Sequence, residues 1–225
     1  MTILDRLSAV EDSIAEACRR SGRDRSEVTL VAVSKTQPAI AVSEAVAAGV
    51  KHLGENRVQE TAGKKDGVHG SPSWHLIGHL QSNKTRKAAE IFDWVESVDS
   101  EKIARRLSDH AGEIGRRIDV MIQINLGDEQ QKDGVAPHQM SELAESIMAM
   151  PGLRLGGLMT IPPQGSPDES RRWFASLRKL GEELVEVTGA EASQLSMGMS
   201  EDFEAAIEEG STMVRIGRAI FGERR

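Results

Sequence analysis

The stretch Val28-Thr29-Leu30-Val31-Ala32-Val33-Ser34-Lys35 decides the fold, because it has the pattern of a strand that is buried on both faces. A short run of apolar and β-branched residues fits a parallel strand covered by helices on both sides. Pro38 follows the run and suits the first turn of a helix, where its missing N–H does no harm. Ligands bind at the carboxyl ends of such strands. The sequence therefore predicts that Lys35 places an amine at the ligand-binding edge of a sheet.

Seven further short apolar stretches are interpreted as strands, and helical stretches alternate with them. They lie at residues 51–53, 74–77, 92–98, 118–125, 153–160, 194–196 and 213–216. Strands that alternate with helices pair in parallel through right-handed crossovers, and eight of them can close into a TIM-type (β/α)8 barrel. Such barrels typically have about 250 residues. The 225 residues therefore predict one compact α/β barrel domain over 1–225, with an open doubly wound sheet as the alternative.

The connections between these elements carry no familiar nucleotide motif. Neither G-x-G-x-x-G after the first strand nor G-x-x-x-x-G-K-[ST] occurs, which argues against dinucleotide and P-loop nucleotide sites. Two polar stretches, 61–73 and 127–137, are interpreted as surface loops. Asp99 or Ser100 is predicted to cap the helix that follows the fourth strand.

Charge and composition argue against several classes of protein. The chain has 28 basic and 35 acidic residues and a net charge of −7, which argues against general binding to nucleic acids or anionic membranes. Its single cysteine, Cys18, permits no intrachain disulfide and fits a reducing compartment. The first residues lack the apolar core of a signal peptide, and no apolar run has the length of a membrane span. A cytoplasmic protein is predicted.

Residues that follow the predicted strands would meet at one mouth of the barrel, where such barrels carry their chemistry. These residues are Lys35, Asn56, His79, Asp99, Asn125, Thr160, Ser196, Arg215 and Gly217. His75 and His79 are four residues apart, which on a strand and its exit is too far for one ion, so no metal site is predicted. His79 is predicted to form hydrogen bonds within the mouth.

The last two strand ends have the features of an anion site. Ser196 offers a hydroxyl, and Gly217 lets the backbone approach closely and expose the N–H groups of Gly217 and Arg218. The loops after strands 7 and 8 are the recurrent phosphate site of (β/α)8 barrels. A phosphate held by Ser196, Gly217 and Arg218, together with the amine of Lys35, indicates an aldehyde cofactor.

The motifs of the chain also point to a known family. They are Val31-Ala-Val-Ser-Lys35, Gly54-Glu-Asn-Arg57, Trp74-His-Leu-Ile-Gly-His-Leu-Gln-Ser-Asn-Lys84, Gly157-Leu-Met-Thr160, Leu195-Ser-Met-Gly-Met-Ser-Glu-Asp202, and Val214-Arg-Ile-Gly217 with Ile220-Phe-Gly-Glu223. They closely resemble the pyridoxal phosphate homeostasis protein family over nearly the whole chain. The resemblance implies a barrel like the amino-terminal domain of alanine racemase, a PLP-binding barrel of fold type III, without the carboxyl-terminal β domain of that enzyme.

The same resemblance implies a cofactor and its ligands. Pyridoxal 5′-phosphate (PLP) is expected as a Schiff base on Lys35, with Arg215 near the pyridine ring. The phosphate is expected near Ser196, Gly217 and Arg218, and Asn56 and His79 are expected to line the same mouth. Members of this family are regarded as cofactor-binding proteins that help to control PLP levels, without a firm catalytic activity.

Three functions stay open on the sequence alone. The first is a non-catalytic PLP reservoir or carrier, acting as a monomer, with PLP-dependent apoenzymes as possible recipients. The second is a weak amino-acid racemase or related PLP enzyme with His79 or water as its second base, since the chain contains no tyrosine. The third is a class I aldolase that forms a Schiff base between Lys35 and a sugar substrate. An arginine beside the pyridine nitrogen does not protonate it, which favours the first function.

Overall fold

Eight parallel strands form the centre of the molecule. The computed structural model describes residues 1–127, 133–163, 165–188 and 192–222. The strands are β1 Thr29–Val33, β2 His52–Glu55, β3 Ser73–Leu76, β4 Trp94–Val98, β5 Ile118–Gln123, β6 Leu153–Met159, β7 Gln194–Ser196 and β8 Met213–Ile216. They close in sequence order, and β8 pairs with β1. The predicted (β/α)8 barrel is therefore confirmed, and the open sheet is wrong.

Helices surround the barrel and supply its crossover connections. They are α1 Ile3–Arg20, α2 Ala39–Ala47, α3 Val58–Lys64, α4 Thr85–Ile91, α5 Glu101–Glu113, α6 Met140–Met148, α7 Pro167–Thr188, α8 Phe203–Glu208 and α9 Arg218–Phe221. Thr2 starts α1 by accepting the backbone N–H of Asp5 in a capping box. Cys18 is buried on the inner face of α1. Among the described residues, no helix combines the length and apolar character needed to cross a membrane.

Alternate residues of each strand point into the barrel, and this alternation selects the side chains that reach its mouth. On β1, Leu30 belongs to the core between barrel and helices, whereas Val31 packs inside the barrel with Met121 and Met213. Lys35 is four residues after Val31, so an extended chain carries both side chains on the same side. The amine is therefore carried on the inner side of the chain at the carboxyl end of β1.

The main hydrophobic core lies between the outer face of the barrel and the helices. Its fully buried side chains include Leu53, Leu76, Phe92, Leu107, Ile118 and Phe174. Burial of one such side chain contributes about 1.5–3 kcal/mol. This layer holds the helices on the barrel and so fixes the strand ends that form the mouth.

The first predicted surface loop, 61–73, requires correction. Thr61 and Lys64 are buried in α3, and a 3-10 turn, Lys65–Gly67, follows directly. The polar sequence was misleading because Lys64 finds charged and carbonyl partners in the interior, which makes its burial possible.

The second predicted loop, 127–137, falls partly outside the described residues. Within them, Val135 forms an isolated parallel bridge with Ile124, just beyond β5. A 3-10 turn begins at Pro137. The described part of this stretch is therefore tied to the barrel by backbone hydrogen bonds.

Candidate functional site

The carboxyl ends of the strands form one mouth of the barrel, and the predicted site residues gather there. Lys35 follows β1 and is partly buried, and Asn56 follows β2 in a similar environment. β1 pairs with both β2 and β8, with Val31 opposite Arg215 in the ladder. The amine, the amide and the guanidinium therefore come from adjacent strands of one sheet.

Arg215 is a buried cation with 3% of its surface exposed. One terminal nitrogen donates to Ser196 Oγ at 2.6 Å, and the other donates to the carbonyl of Thr160 at 2.8 Å. Burial lowers the pKa of Arg215, while the charges of Glu96 and Asp202 act in the opposite direction. A guanidinium keeps its charge in proteins. The two hydrogen bonds therefore hold a permanent positive charge in one orientation.

The hydroxyl of Ser196 is used inside the protein. It donates to Glu96 Oε2 at 2.5 Å and accepts from Arg215, and the residue is fully buried. A serine hydroxyl has one proton to donate, so a phosphate could receive it only if Ser196 released Glu96. In this structure Ser196 positions Arg215. Its predicted contact with phosphate stays a prediction, and it requires that rearrangement.

A polar chain whose members sequence reasoning did not connect continues through the barrel from Glu96. His75 Nδ1 lies 2.7 Å from Glu96 Oε1, and His75 Nε2 lies 3.0 Å from His52 Nδ1. The ring of Trp94 stacks on His75 with 5.6 Å between centroids. Burial acts to raise the pKa of Glu96, but His75, Arg215 and the Ser196 hydroxyl together hold it below its ordinary value. Glu96 is therefore an ionised counter-charge for Arg215 inside the barrel.

Helix α3 holds the segment that carries Lys35. The ammonium of Lys64 donates to two backbone carbonyls of residues 34–37, at 2.8 and 3.4 Å. The carboxylate of Glu60 accepts the backbone N–H of Thr36. Thr36 has a φ of 65°, a left-handed conformation that is unfavourable for a threonine. Contacts from α3 therefore stabilise a strained turn immediately after the amine.

Lys64 is itself paired with a buried carboxylate. Glu55 Oε1 lies 2.7 Å from Lys64 Nζ and accepts the hydroxyl of Ser34 at 2.5 Å. The second oxygen, Oε2, is buried without a hydrogen-bond partner among the described residues. Burial raises the pKa of Glu55, against the opposing bonds from Lys64 and Ser34. The segment beside Lys35 thus rests on an internal ion pair.

Two glycines allow the loops of the mouth to approach each other closely. A Cβ added at Gly78 would lie 2.4 Å from the carbonyl oxygen of Asn56, and one at Gly217 would lie 3.1 Å from that of Val33. Gly217 precedes α9, and Arg218 begins that helix with its side chain exposed. The backbone N–H groups of these two residues, rather than the arginine side chain, therefore suit a ligand at the mouth.

His79 lies on the rim of the mouth, 43% exposed. Its Nδ1 is 3.1 Å from Asp99 Oδ2 and 3.2 Å from Asp133 Oδ1. The predicted cap of α5 is confirmed at Ser100, which is the N-cap residue, and not at Asp99. Ser100 makes no capping hydrogen bond, because its hydroxyl donates to Asp99. Asp99 is instead turned toward His79.

The same rim group has the composition of a cation site. Ligand atoms of His79, Asp99 and Asp133 all lie within 4.8 Å of one another. Exposed acidic groups commonly lie this close without an ion, and the grouping alone does not identify a metal site. His75, the other histidine considered from the sequence, is inside the barrel and bonded to Glu96. The expectation of no metal stays a prediction.

The mouth combines three kinds of chemistry. Lys35 supplies an amine, Arg215 supplies a fixed positive charge, and the start of α9 supplies backbone donors. Amines condense with carbonyl compounds, whereas guanidinium and amide N–H groups bind anions. The residues present therefore fit a ligand that carries both an aldehyde and an anionic group.

Comparison with known proteins agrees with this chemistry. The family model described as "Alanine racemase, N-terminal domain" matches residues 6–225. A curated protein of Pseudomonas aeruginosa, named pyridoxal phosphate homeostasis protein, is 47% identical over 99% of this chain and 96% of its own length. The chain belongs to the pyridoxal phosphate homeostasis protein family. The family predicted from the motifs is confirmed.

A second curated relative and two solved structures are also similar to this chain. The protein of that name from Escherichia coli K12 is 45% identical over 99% of this chain and 97% of its own. PipY of Synechococcus elongatus, solved with PLP bound, is 39% identical with a TM-score of 0.86, covering 98% of this chain and 100% of PipY. An alanine racemase of Clostridium difficile shares only the fold, at 16% identity and a TM-score of 0.74, covering 98% of this chain and 57% of that enzyme.

Proposed function

We propose that this protein binds PLP at the mouth of the barrel and serves as a non-catalytic reservoir or carrier in PLP homeostasis. The observation that carries the proposal is the position of Lys35 just after β1, at the mouth of the barrel, on the strand that pairs with β8 and its buried Arg215. Membership of the pyridoxal phosphate homeostasis protein family and the PLP-bound structure of PipY support it. The residues we propose to line the cofactor are Lys35, Asn56, His79, Ser196, Arg215, Gly217 and Arg218.

Lys35 would hold the cofactor covalently. Its neutral Nζ would condense with the aldehyde carbon, and the aldehyde oxygen would leave as water with the two protons of the amine. Lys35 is partly buried, and removal from water disfavours the charged form of an amine relative to its nucleophilic form. The contacts of Lys64 and Glu60 with residues 34–37 would hold the amine in place.

Arg215 would bind the cofactor without activating it. PLP, when bound, supplies an electron sink for reactions at the α-carbon of amino acids. The sink is strongest when the pyridine nitrogen is protonated, and the guanidinium of Arg215 has no proton to release at neutral pH. Ser196 and Thr160 fix Arg215 by hydrogen bonds, which favours retention of the ring. This chemistry supports a carrier more than a catalyst.

Weak amino-acid racemase or related PLP-enzyme activity is the second candidate, and one contact at the rim favours it. The pairing of His79 with Asp99 can orient an imidazole for proton transfer. Incubation of the PLP-loaded protein with alanine in heavy water separates the two functions. A carrier is expected to leave the Cα hydrogen in place. Deuterium incorporation at about one per second or faster, lost in His79→Gln, would overturn the carrier.

Titration of the purified protein with PLP tests binding itself. The wild type is expected to gain the visible absorption of the attached cofactor. Lys35→Ala should lose this absorption while keeping its fold and some non-covalent binding. Lys51→Ala, which removes an exposed lysine, should behave like the wild type. A colourless wild type that takes up no PLP would contradict the proposal and favour the class I aldolase.

The carrier would work as a single domain over residues 1–225, as a monomer, in the cytoplasm. Its partners would be PLP and PLP-dependent apoenzymes, and the net charge of −7 argues against nucleic acids and anionic membranes. The exposed rim residues His79 and Asp133 leave the side of the mouth accessible for exchange. Light scattering during size-exclusion chromatography should give the mass of one chain.

A further inference from the structure

A continuous chain of hydrogen bonds crosses the inside of the barrel from one end to the other. It starts at His52, the first residue of β2, and passes through His75 at 3.0 Å and Glu96 at 2.7 Å. From Glu96 it continues to Ser196 at 2.5 Å and then to Arg215 at 2.6 Å. Every member except His52 is buried. The chain therefore connects the amino-terminal end of the barrel with the mouth that carries Lys35.

The far end of the chain opens into a cavity. Its volume is about 270 Å³. Five of its lining residues are the first residues of their strands, namely Thr29, His52, Trp94, Gln194 and Met213. The cavity therefore lies at the amino-terminal end of the barrel, opposite the mouth. His52 borders it and is the member of the chain that water can reach.

The order of donors and acceptors along the chain is fixed by Glu96. The ionised carboxylate accepts from Ser196 Oγ and from Nδ1–H of His75. When His75 carries a proton on Nδ1 alone, its Nε2 accepts from Nδ1–H of His52, which then presents a lone pair at Nε2. A proton taken up at Nε2 of His52 makes an imidazolium, and passage of the Nδ1 proton to His75 moves the charge next to Glu96. One proton thus brings positive charge into the barrel without breaking the chain.

Charged and titratable groups face His52 from several elements. They are Lys51 on its own segment, His75 on β3, Glu96 on β4, Asp93 before β4, and across the cavity Arg154, which is paired with Asp119. Burial, and then His75, lower the pKa of His52 from 6.5 to about 4, and Lys51 acts in the same direction. Glu96 and Asp93 oppose this shift. His52 is therefore neutral at pH 7 in the absence of a ligand.

Glu96 is shared between the two ends of the chain. Ser196 relays the attraction of Glu96 to Arg215, while His75 contacts the other carboxylate oxygen directly. An anion bound by Arg215 partly neutralises the guanidinium and so weakens its electrostatic attraction to Glu96. The carboxylate is then less neutralised and attracts a proton on the histidine side more strongly. Proton binding at one end and anion binding at the other should favour each other.

We propose that His52, His75 and Glu96 position Arg215 through Ser196, and that they link proton binding at the amino-terminal cavity to binding of PLP at the mouth. This inference rests on the proposed function, since it takes PLP as the anion that Arg215 meets. Linkage is reciprocal, so the factor by which PLP favours protonation of His52 equals the factor by which that proton favours PLP. We expect a two- to tenfold effect, on the order of an upward shift of 0.3 to 1 unit in the His52 pKa on binding.

Titration of the histidine side chains by NMR measures this linkage. Protein labelled with ¹⁵N-histidine is titrated between about pH 4 and pH 7, with and without saturating PLP, and the His52 signals are identified by their loss in His52→Gln. The His52 midpoint should move upward with PLP, while the exposed His138 should keep its midpoint. Visible absorption of the same samples reports whether PLP is attached. Attachment with an unchanged His52 titration overturns the inference alone, whereas absence of attachment overturns the proposed function and the inference with it.

Variants of the relay separate positioning from simple structural support. Ser196→Ala removes the bridge between Glu96 and Arg215 and should abolish the PLP-dependent shift of His52 in a folded protein. Ser193→Ala, an exposed serine just before β7, should leave the shift intact. Glu96→Gln should also abolish the shift, and Ser196→Ala provides the test if Glu96→Gln does not fold. A shift of wild-type size in folded Ser196→Ala would refute the relay.

Discussion

Replacing Lys64 by methionine tests the contacts that α3 makes with the segment carrying Lys35. Lys64 is 9% exposed and lies 2.7 Å from Glu55, 2.8 Å from the Ser34 carbonyl and 3.3 Å from Glu60. Methionine keeps the apolar stem but removes the charge. The substitution leaves Glu55 as a buried carboxylate without its cation, and the free energy of unfolding should fall strongly.

The size of this loss follows from the charge left behind. Removal of one partner of a buried ion pair typically costs about 3–5 kcal/mol. Glu55 can limit the loss by taking up a proton. From an ordinary pKa of 4.5, this uptake costs about 3.4 kcal/mol at pH 7, at 1.36 kcal/mol for each unit. We therefore expect Lys64→Met to lose about 3–4 kcal/mol at pH 7.

The pH dependence of the loss gives a second, independent check. Burial already raises the pKa of Glu55, and loss of Lys64 removes an interaction that lowers it, so the pKa rises further. A carboxyl whose pKa is raised in the folded state binds more protons folded than unfolded, so stability increases as pH falls. The difference in the free energy of unfolding between Lys64→Met and wild type should therefore decrease by about 1–2 kcal/mol from pH 7 to pH 5.

Urea denaturation of four proteins measures both effects. They are the wild type, Lys64→Met, Glu55→Gln and the double variant. The double variant should be more stable than the sum of the single losses predicts, by about 1–3 kcal/mol, because the two side chains interact directly. Additive losses, or a Lys64→Met loss below about 1 kcal/mol that does not change with pH, would refute the reasoning.

Two further predictions concern the mouth and the interior of the barrel. Gly78→Ala should destabilise the protein by about 1–3 kcal/mol, because its Cβ would lie 2.4 Å from the Asn56 carbonyl oxygen. The control Gly63→Ala, whose Cβ would have no atom within 4 Å, should be neutral or stabilising. Thermal or urea unfolding compares the two variants, and equal stabilities would contradict the close approach at Gly78. Since the pKa of His52 is lowered to about 4 when folded, the unfolded chain binds a proton that the native chain does not, and stability is lost as pH falls from 6.5 toward 4. After allowance for the partial exposure of the ring, the wild type should lose about 1 kcal/mol more than His52→Gln between pH 7 and pH 5, and parallel losses would show that His52 does not contribute.

The barrel was predictable because its strands are short apolar stretches that alternate with helical stretches. This alternation restricts the chain to a few topologies of a parallel sheet. The Lys35 segment shows how far this reasoning extends to the site. Val31 of β1 packs inside the barrel, and side chains alternate along a strand. Lys35, four residues after Val31, therefore lies on the same inner side, at the mouth. The same alternation on β8 carries Arg215 inward. Local spacing in the sequence predicts both residues at strand ends, whereas the side of the strand that each occupies follows from the contacts inside the barrel.

The polar interior was not predictable in the same way. Ser196 and Glu96 are 100 residues apart, and neither residue shows in its own segment what it will contact. One local signal was present. Glu96 interrupts the buried strand Trp94–Val98, and a carboxylate in such a position needs a partner. The partners themselves depend on closure of the barrel.

The contacts of α3 were missed for a related reason. Residues 61–73 are polar, and polar residues are mostly exposed, so the sequence predicts a surface loop there. Lys64 is buried because Glu55 and the backbone of residues 34–37 satisfy its charge. Thr36 adopts its left-handed conformation next to these contacts, with its backbone N–H donated to Glu60. The partners that make the burial of Lys64 possible come from distant parts of the chain, and the spacing of residues in the sequence does not predict them.

The most direct measurement is mass spectrometry of the protein after incubation with PLP and reduction with borohydride. Reduction converts the carbon–nitrogen double bond to a stable single bond, so the cofactor stays on the residue that held it. We expect the intact mass to increase by one reduced pyridoxyl phosphate group and the label to map to Lys35. A label confined to other lysines, or no label on protein saturated with PLP, would contradict covalent binding at the mouth of the barrel.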